Sequence, residues 1–404
     1  LIRFMSFNYI IKFFSFFIIL FVHSCGTVKK LTEESNKEIN IDNNIENVEK
    51  VEKISTDYSL IIKDDQFNKK LLLKTEKNKH EFNLPLKSYI YDKYIFSLNS
   101  NSELLKFDFG TGDLVESIDL DINNNKKEII PTSFILHKDN FVIGFNTGLI
   151  IKIDNKGKIL WSNQTNKLLN TEIIIYQDIL IAIYEDSVKA ILLNNGQEVW
   201  FETYVDLPVY QAKGGEIVNF LNLIYFILPN NIVGSIDILL GEKHFSKFDN
   251  LQLISSINNS KDRIYIFENN LVYLDEGEYL YNFDILLDEF TLFKHKISAS
   301  SDSSNFINNS LIIKKSNYLQ AFNINNGNLF WKIELDKSFK KNEIIDIKII
   351  NNLINIFFDN GKILRIFDGT VIDTLNLKIK NIKYIYFQNS YLFASFVNGK
   401  TAIF

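Results

Sequence analysis

The stretch KAILLNNGQEVW (189–200) runs an alternating apolar strand into a tight turn, and a tryptophan stands four positions beyond the turn glycine. QAFNINNGNLFW (320–331) repeats it almost position for position. IKIDNKGKILW (151–161), GSIDILLGEKHF (234–245) and LLKFDFGTGDLVE (104–116) repeat it more loosely. The turn glycines are Gly112, Gly157, Gly196, Gly241 and Gly327, at successive separations of 45, 39, 45 and 86 residues. The last gap holds two units: LYNFDILLDEFTL (280–292) aligns with the pattern, with Asp288 in the place of the glycine and Leu292 in that of the tryptophan. A seventh unit, KILRIFDGTVIDTL (362–375), turns about Asp368 and Gly369. A period of about 40–45 residues made of short strands marks a β-propeller.

The recurring residues have a physical logic. Glycine supplies the positive φ of a hairpin turn, and the Asp or Asn four positions earlier (Asp108, Asp237, Asp284, Asn323) is placed to cap that turn with its side chain. Alternation puts every second residue on one sheet face. Trp161, Trp200, Phe245 and Trp331 are therefore expected in equivalent slots between blades, as core rather than as a cofactor platform. Ala190 and Ala321, each ten residues before a tryptophan, leave room beside it.

Seven hairpins are countable, and the chain then closes on YLFASFVNGKTAIF (391–404), two strands without a third. Upstream of the first repeat, DYSLIIKDDQFNKKLLLKT (57–75) is strand-like and has no hairpin partner. The expected solution is an all-β, eight-bladed propeller of four-stranded antiparallel blades. Its last blade takes an outer strand from the N-terminal side and inner strands from the C-terminal side, which hides two sheet edges. Seven blades is the alternative count. Only four prolines occur and no Ser/Gly/Pro linker interrupts the repeats, so residues 57–404 read as one propeller domain.

The N-terminal stretch LIRFMSFNYIIKFFSFFIILFVHSC carries Arg3 and Lys12, no acid, and an almost wholly apolar run over 13–22. That is a basic region followed by an apolar core too short for a comfortable membrane span, the pattern of a secretory signal over residues 1–24. Val22-His23-Ser24-Cys25-Gly26 resembles the lipobox of bacterial lipoproteins, with His23 where that family favours a small residue. Cys25 is the single cysteine, so it has no disulfide partner and suits lipid attachment, including a palmitate chain. Beyond Cys25, residues 26–56 are polar, charged and free of aromatics, so 25–56 reads as the lipidated cysteine plus a disordered tether. The glycine after Cys25 implies, by that resemblance, delivery to the outer membrane.

Loss of residues 1–24 removes two positive charges and no negative ones, moving the formal net charge from −5 to −7. No basic cluster stands out, which argues against nucleic acid as a partner. The five histidines (His23, His80, His137, His244, His295) stand at no ligand spacing, and no metal site is expected. Asp275, Glu276 and Glu278 form the densest acidic turn, read as a solvated loop rather than a calcium site. No nucleophile elbow, phosphate-cradling glycine loop or Cys–His pair occurs. The reading is of a protein that is not an enzyme and carries no cofactor.

The unit strand–Asp–turn–Gly–x–x–x–Trp resembles the repeat of pyrroloquinoline-quinone-type propellers over residues 57–404. Within that group, an eight-bladed lipoprotein of this length resembles the BamB family of outer-membrane assembly lipoproteins. The resemblance implies a periplasmic scaffold on the inner leaflet of the outer membrane, a monomer within a hetero-complex. It would dock on the barrel-inserting subunit BamA, with unfolded outer-membrane proteins as further partners. TYVDLPVYQAKGGEIV (203–218) is similar to the family's docking loop, at Asp206, Pro208, Lys213 and Gly214. The resemblance assigns the partner contacts to Tyr210, Ala212 and Lys213. Ala212 replaces a leucine and Lys213 an arginine, and lysine lacks arginine's planar fork. The family's acidic contact in the next blade has only Asp249, out of register, to match it. Two alternatives belong to other classes: a propeller lipoprotein binding other envelope proteins or glycans, and a quinoprotein dehydrogenase. The latter is typically longer, with a vicinal cysteine pair and calcium-binding acids.

Overall fold

Each repeat folds as a small antiparallel sheet because its apolar residues alternate and its turns carry the residues that reverse a chain. In this computed structural model the described residues are 69, 71–75, 86–122, 129–169, 171–204, 216–228, 233–243, 264–274, 279–296, 303–315, 317–396 and 399–404. All lie within the unit Tyr58–Phe404. They form eight blades, at residues 89–119, 131–164, 174–203, 216–243, 264–296, 303–334, 344–376, and 382–403 with 71–74. Seven blades are four-stranded sheets; in blade 4 the fourth strand is represented among the described residues by the single bridge Ile236–Lys243. A short helix, Lys337–Lys340, lies between blades 6 and 7.

Blade 8 is the composite one. Leu71–Lys74 pairs antiparallel with Lys400–Ile403, in the register Leu71–Ile403 to Lys74–Lys400. Burial sets that register: Leu71 and Leu73 point inward, whereas Leu72 and Lys74 face out. The joint to blade 1 is sealed by the Tyr386 hydroxyl, which donates to Ser88 O (2.9 Å), and by Gln388, whose Oε1 accepts from Ile90 N (3.0 Å).

The core follows the ring. Among the described residues the buried apolar side chains fall into eight clusters, and each spans one pair of neighbouring blades. Stability therefore resides in joints between repeats, as in other repeat proteins.

The repeat residues build those joints. Asp108 Oδ1 accepts from Gly110 N and Thr111 N at 2.8 and 2.9 Å, and Asp237 and Asp284 cap their turns in the same way. Asp288 adopts φ 52°, so the glycine's left-handed conformation persists where the glycine has been lost. Ala190 and Ala321 pair directly across the ladder with Trp200 and Trp331. Each tryptophan lies beneath the turn glycine of the next blade. A Cβ on Gly196 would stand 2.7 Å from the Trp161 ring, one on Gly241 2.4 Å from Trp200 Cγ, and one on Gly369 2.7 Å from Trp331 Cβ. The indole N–H of Trp161 donates to Leu193 O (3.0 Å) and that of Trp200 to Ile238 O (2.8 Å).

Blade 5 shows how this joint survives the loss of its tryptophan. Leu292 pairs across the ladder with Asn282, and buried Asn282 donates from Nδ2 to Ile324 O at 3.1 Å. Ile324 stands three residues before Gly327, as Leu193 and Ile238 do before Gly196 and Gly241. The acceptor is kept and the donor has moved to the neighbouring strand.

Candidate functional site

Four strands running alternately up and down divide the turns between two faces. Hairpins after the first and third strands, including the glycine turns, share one face. The connections between blades share the other with the hairpins after the second strands. On this connection face the outer strand of blade 3 ends at Thr203 and the first strand of blade 4 starts at Glu216. Asp206, Pro208, Tyr210, Ala212, Lys213 and Gly214 themselves lie outside the described residues, as do Cys25, Phe245, Asp249, Asp275, Glu276 and Glu278.

On the same face, where the innermost strands of blades 1, 2 and 3 begin, lies a cavity of about 230 Å³. Blade 1 contributes Leu86, Lys87 and Tyr89, blade 2 contributes 132–135, and blade 3 contributes 172–175. Its walls are mixed: Leu86, Ile135, Ile173, Ile174 and Ile175 are aliphatic, and Lys87, Thr132, Ser133 and Glu172 are polar. Tyr89 packs edge-on against Phe134 (5.5 Å between centroids) and donates its hydroxyl to Phe134 O (3.0 Å). Lys87 and Glu172 form an ion pair at 3.5 Å, with side chains about a third and a half exposed.

Two features of blade 2 mark the cavity. The pairing of its first two strands steps from Pro131–Phe145 to Ser133–Gly144, which leaves Thr132 as the extra residue of a β-bulge. Bulges re-aim side chains and often stand beside functional sites; blades 7 and 8 carry comparable register shifts in their first strands. The Thr132 side chain is buried, and its hydroxyl has no hydrogen-bond partner among the described residues. Neighbouring Ser133 is used structurally, its Oγ accepting from Ile173 N at 3.3 Å.

Electrostatics keep the aromatic hydroxyls here neutral. Burial raises the pKa of Tyr89 far above the usual tyrosine range, and the Glu172 carboxylate adds to the rise. Tyr384 of blade 8 is raised for the same reasons, with Asp346 contributing after Glu172. The Tyr89 phenol is thus kept neutral, as a donor to Phe134 O. Among the described residues, no group of three or more His, Cys, Asp or Glu is placed to hold a metal ion. His137 ends the first strand of blade 2 and His295 lies in the outer strand of blade 5.

The sequence reading passed over Lys87, Tyr89, Thr132 and Glu172. One signal was present: Pro85, Pro131 and Pro208, three of the four prolines, stand in the segments that lead into blades 1, 2 and 4.

No family model matches the chain, and no curated protein matches it. Solved structures do. BamB from Moraxella catarrhalis is similar with a TM-score of 0.58 and 14% identity, over 80% of this chain and 97% of that one. The computationally designed Ika8 protein is similar with a TM-score of 0.60 and 13% identity, over 84% and 99%. The quinohemoprotein alcohol dehydrogenase ADHIIG from Pseudomonas putida HK5 has a TM-score of 0.52 and 11% identity, over 81% and 71%. At such identities the shared property is the propeller fold.

Proposed function

We propose that this protein is a non-enzymatic scaffold of outer-membrane β-barrel assembly. Lipid on Cys25 holds it at the inner leaflet of the outer membrane, and its connection face docks on a BamA-type barrel-inserting subunit. Anchoring raises its effective concentration near that partner. The observation that carries the reading is the segment Asp206-x-Pro208 to Lys213-Gly214, which resembles a docking loop and stands in the sequence between the strands Glu198–Thr203 and Glu216–Phe220. The propeller fold shared with BamB from Moraxella catarrhalis supports it, as does a lone cysteine directly after the apolar N-terminal stretch. A tyrosine beside a cation in a proline-stiffened loop is a suitable interface anchor.

The test is a pull-down of the native lipoprotein from its own membranes, read by mass spectrometry beside a Tyr210→Ala/Lys213→Glu double variant. The reading expects a BamA-type protein with the native form and its loss with the variant. Recovery with both forms retains the function and removes the loop from it. Recovery with neither transfers the protein to the general envelope-binding class.

A further inference from the structure

We propose that the face bearing the glycine turns contacts a phospholipid bilayer, through five leucines at hairpin tips of blades 4 and 5 that insert among zwitterionic lipids. The choice of a bilayer rests on the lipid-anchor reading of Cys25.

Exposure gives the first argument. Leu221, Leu286 and Leu287 are each 67% exposed and Leu240 is 66% exposed, more than any other large apolar side chain among the described residues; Leu239 is 53% exposed. Leu221 stands in the hairpin after the first strand of blade 4, the others in the turns after the third strands of blades 4 and 5. All five therefore share one face of two neighbouring blades. Within blade 4 the two hairpins touch, Asn222 Nδ2 donating to Asp237 Oδ2 at 2.5 Å and Ile238 N to Asn222 O at 2.8 Å. An exposed apolar patch of this kind marks a protein or membrane contact.

The fold does not call for these leucines. The turns are held by main chain and aspartate: Asp237 Oδ1 accepts from Leu239 N and Leu240 N, and Asp284 Oδ1 from Leu286 N and Leu287 N. The same tip positions are Gly110-Thr111 in blade 1, Asn194-Asn195 in blade 3 and Asn325-Asn326 in blade 6. Leu221 adopts φ 53°, in the left-handed region that favours Asn and Asp. Polar residues hold its place in the other seven blades: Asp92, Lys138, Gln177, Glu268, Asn308, Asn351 and Asn389.

The chain's path, the shape and the charge choose the occupant. Strand Leu71–Lys74 begins at this same face, for a Cβ on the turn glycine Gly112 would stand 3.2 Å from Leu71 Cδ2. The chain from Cys25 therefore joins the propeller here, and a lipid on that cysteine keeps a bilayer at high effective concentration. Blade 8 stands opposite blade 4 in a ring of eight, so anchor and tips hold the face at two separated points. Leucines at hairpin tips protrude rather than line a groove, a shape that enters a deformable apolar layer. Their ionisable neighbours are mainly acidic, Glu242, Glu268, Asp288 and Glu289, and Lys243 is paired with Glu202 at 3.5 Å. Anionic lipids attract basic segments, so this surface favours neutral headgroups.

The experiment uses the mature chain, residues 25–404, with Cys25→Ser so that no acyl chain contributes, and flotation with phosphatidylcholine vesicles. Saturable binding is expected. Leu239→Asn/Leu240→Asn and Leu286→Asn/Leu287→Asn should each weaken it about tenfold. Both variants recreate the Asn-Asn tips of blades 3 and 6, and if one does not fold the other decides. Leu221→Asn should weaken binding and raise the melting temperature, because asparagine is at ease at positive φ. That pairing of tighter fold and weaker binding separates a membrane contact from a structural role. Leu168→Asn, at an exposed leucine between blades 2 and 3, should change nothing. Replacing a third of the lipid by phosphatidylglycerol should weaken binding at low salt.

No vesicle binding overturns the proposal, as does binding that both leucine-pair variants leave unchanged or that needs the anionic lipid. If vesicles go unbound and the Asn variants instead abolish self-association in sedimentation, or lose a protein from the membrane pull-down, the tips meet a second copy or a protein partner and the proposal falls. Mass spectrometry of the native protein reads the anchor separately: vesicle binding without lipid on Cys25 keeps the leucine contact and removes the anchor. If the pull-down recovers a BamA-type protein while vesicles go unbound, this proposal falls alone.

Discussion

Replacing Gly241 by alanine tests the joint that recurs around the ring. Gly241 adopts φ 71°, and a left-handed backbone costs a residue with a Cβ about 1–2 kcal/mol. The added carbon would stand 2.4 Å from Trp200 Cγ, 2.7 Å from its Cβ and 2.8 Å from Cδ1. The ring cannot simply retreat: it is buried, and its N–H is committed to Ile238 O at 2.8 Å. Overpacking of this kind costs about 1–3 kcal/mol. The two contributions together give a destabilisation of about 2–5 kcal/mol. Urea unfolding followed by tryptophan fluorescence reads it, since Trp161, Trp200 and Trp331 each lie beneath a turn glycine. Gly110→Ala is the control. That residue sits in a similar hairpin, its nearest contact is the Asp108 carboxylate at 3.1 Å, and it should change stability by about 0.5 kcal/mol or less. If Gly241→Ala is as mild as Gly110→Ala, the tryptophan has room to move and the close-packed joint is wrong.

The same turn position predicts an effect of opposite sign in blade 5, where Asp288 holds φ 52°: Asp288→Gly should stabilise by up to about 1 kcal/mol in the same assay. In the closing blade, Leu73→Ala should cost about 2–5 kcal/mol because the side chain is 1% exposed, whereas exposed Leu72→Ala should change little; equal effects would mean that 71–74 does not close the ring. The Arg365–Asp373 pair of blade 7 sets an acid response. The hydrogen bond from Arg365 holds the Asp373 carboxyl below its ordinary value of 3.8, so its contribution is complete above that pH and is lost as pH falls through the lowered value. Asp373→Asn should flatten the acid limb of stability between about pH 5 and pH 2, as followed by circular dichroism; an unchanged limb would remove this pair from acid unfolding.

Local chemistry carried most of the architecture into view. Alternation with a turn glycine and a tryptophan four residues on is a short-range signal, and its repetition sets the blade type and narrows the blade number to seven or eight. The unpaired strand before the first repeat pointed to a composite blade because an exposed edge has to be covered. These properties depend on neighbours a few positions apart, or on the repeat period, and a single chain displays both. Other properties arise only when distant segments meet. Nothing in LYNFDILLDEFTL says that Asn282 takes over the donor lost with the tryptophan, since the acceptor, Ile324 O, lies in the next blade. The cavity is a stronger case. Lys87, Thr132 and Glu172 stand about 40 residues apart in an otherwise ordinary sequence, and only closure of the ring brings them to one pocket. The sequence by itself determined a repeat propeller and the segments that lead to its two faces. The tertiary structure decided which side chains converge on one face, because burial is a property of packed blades and of no single strand.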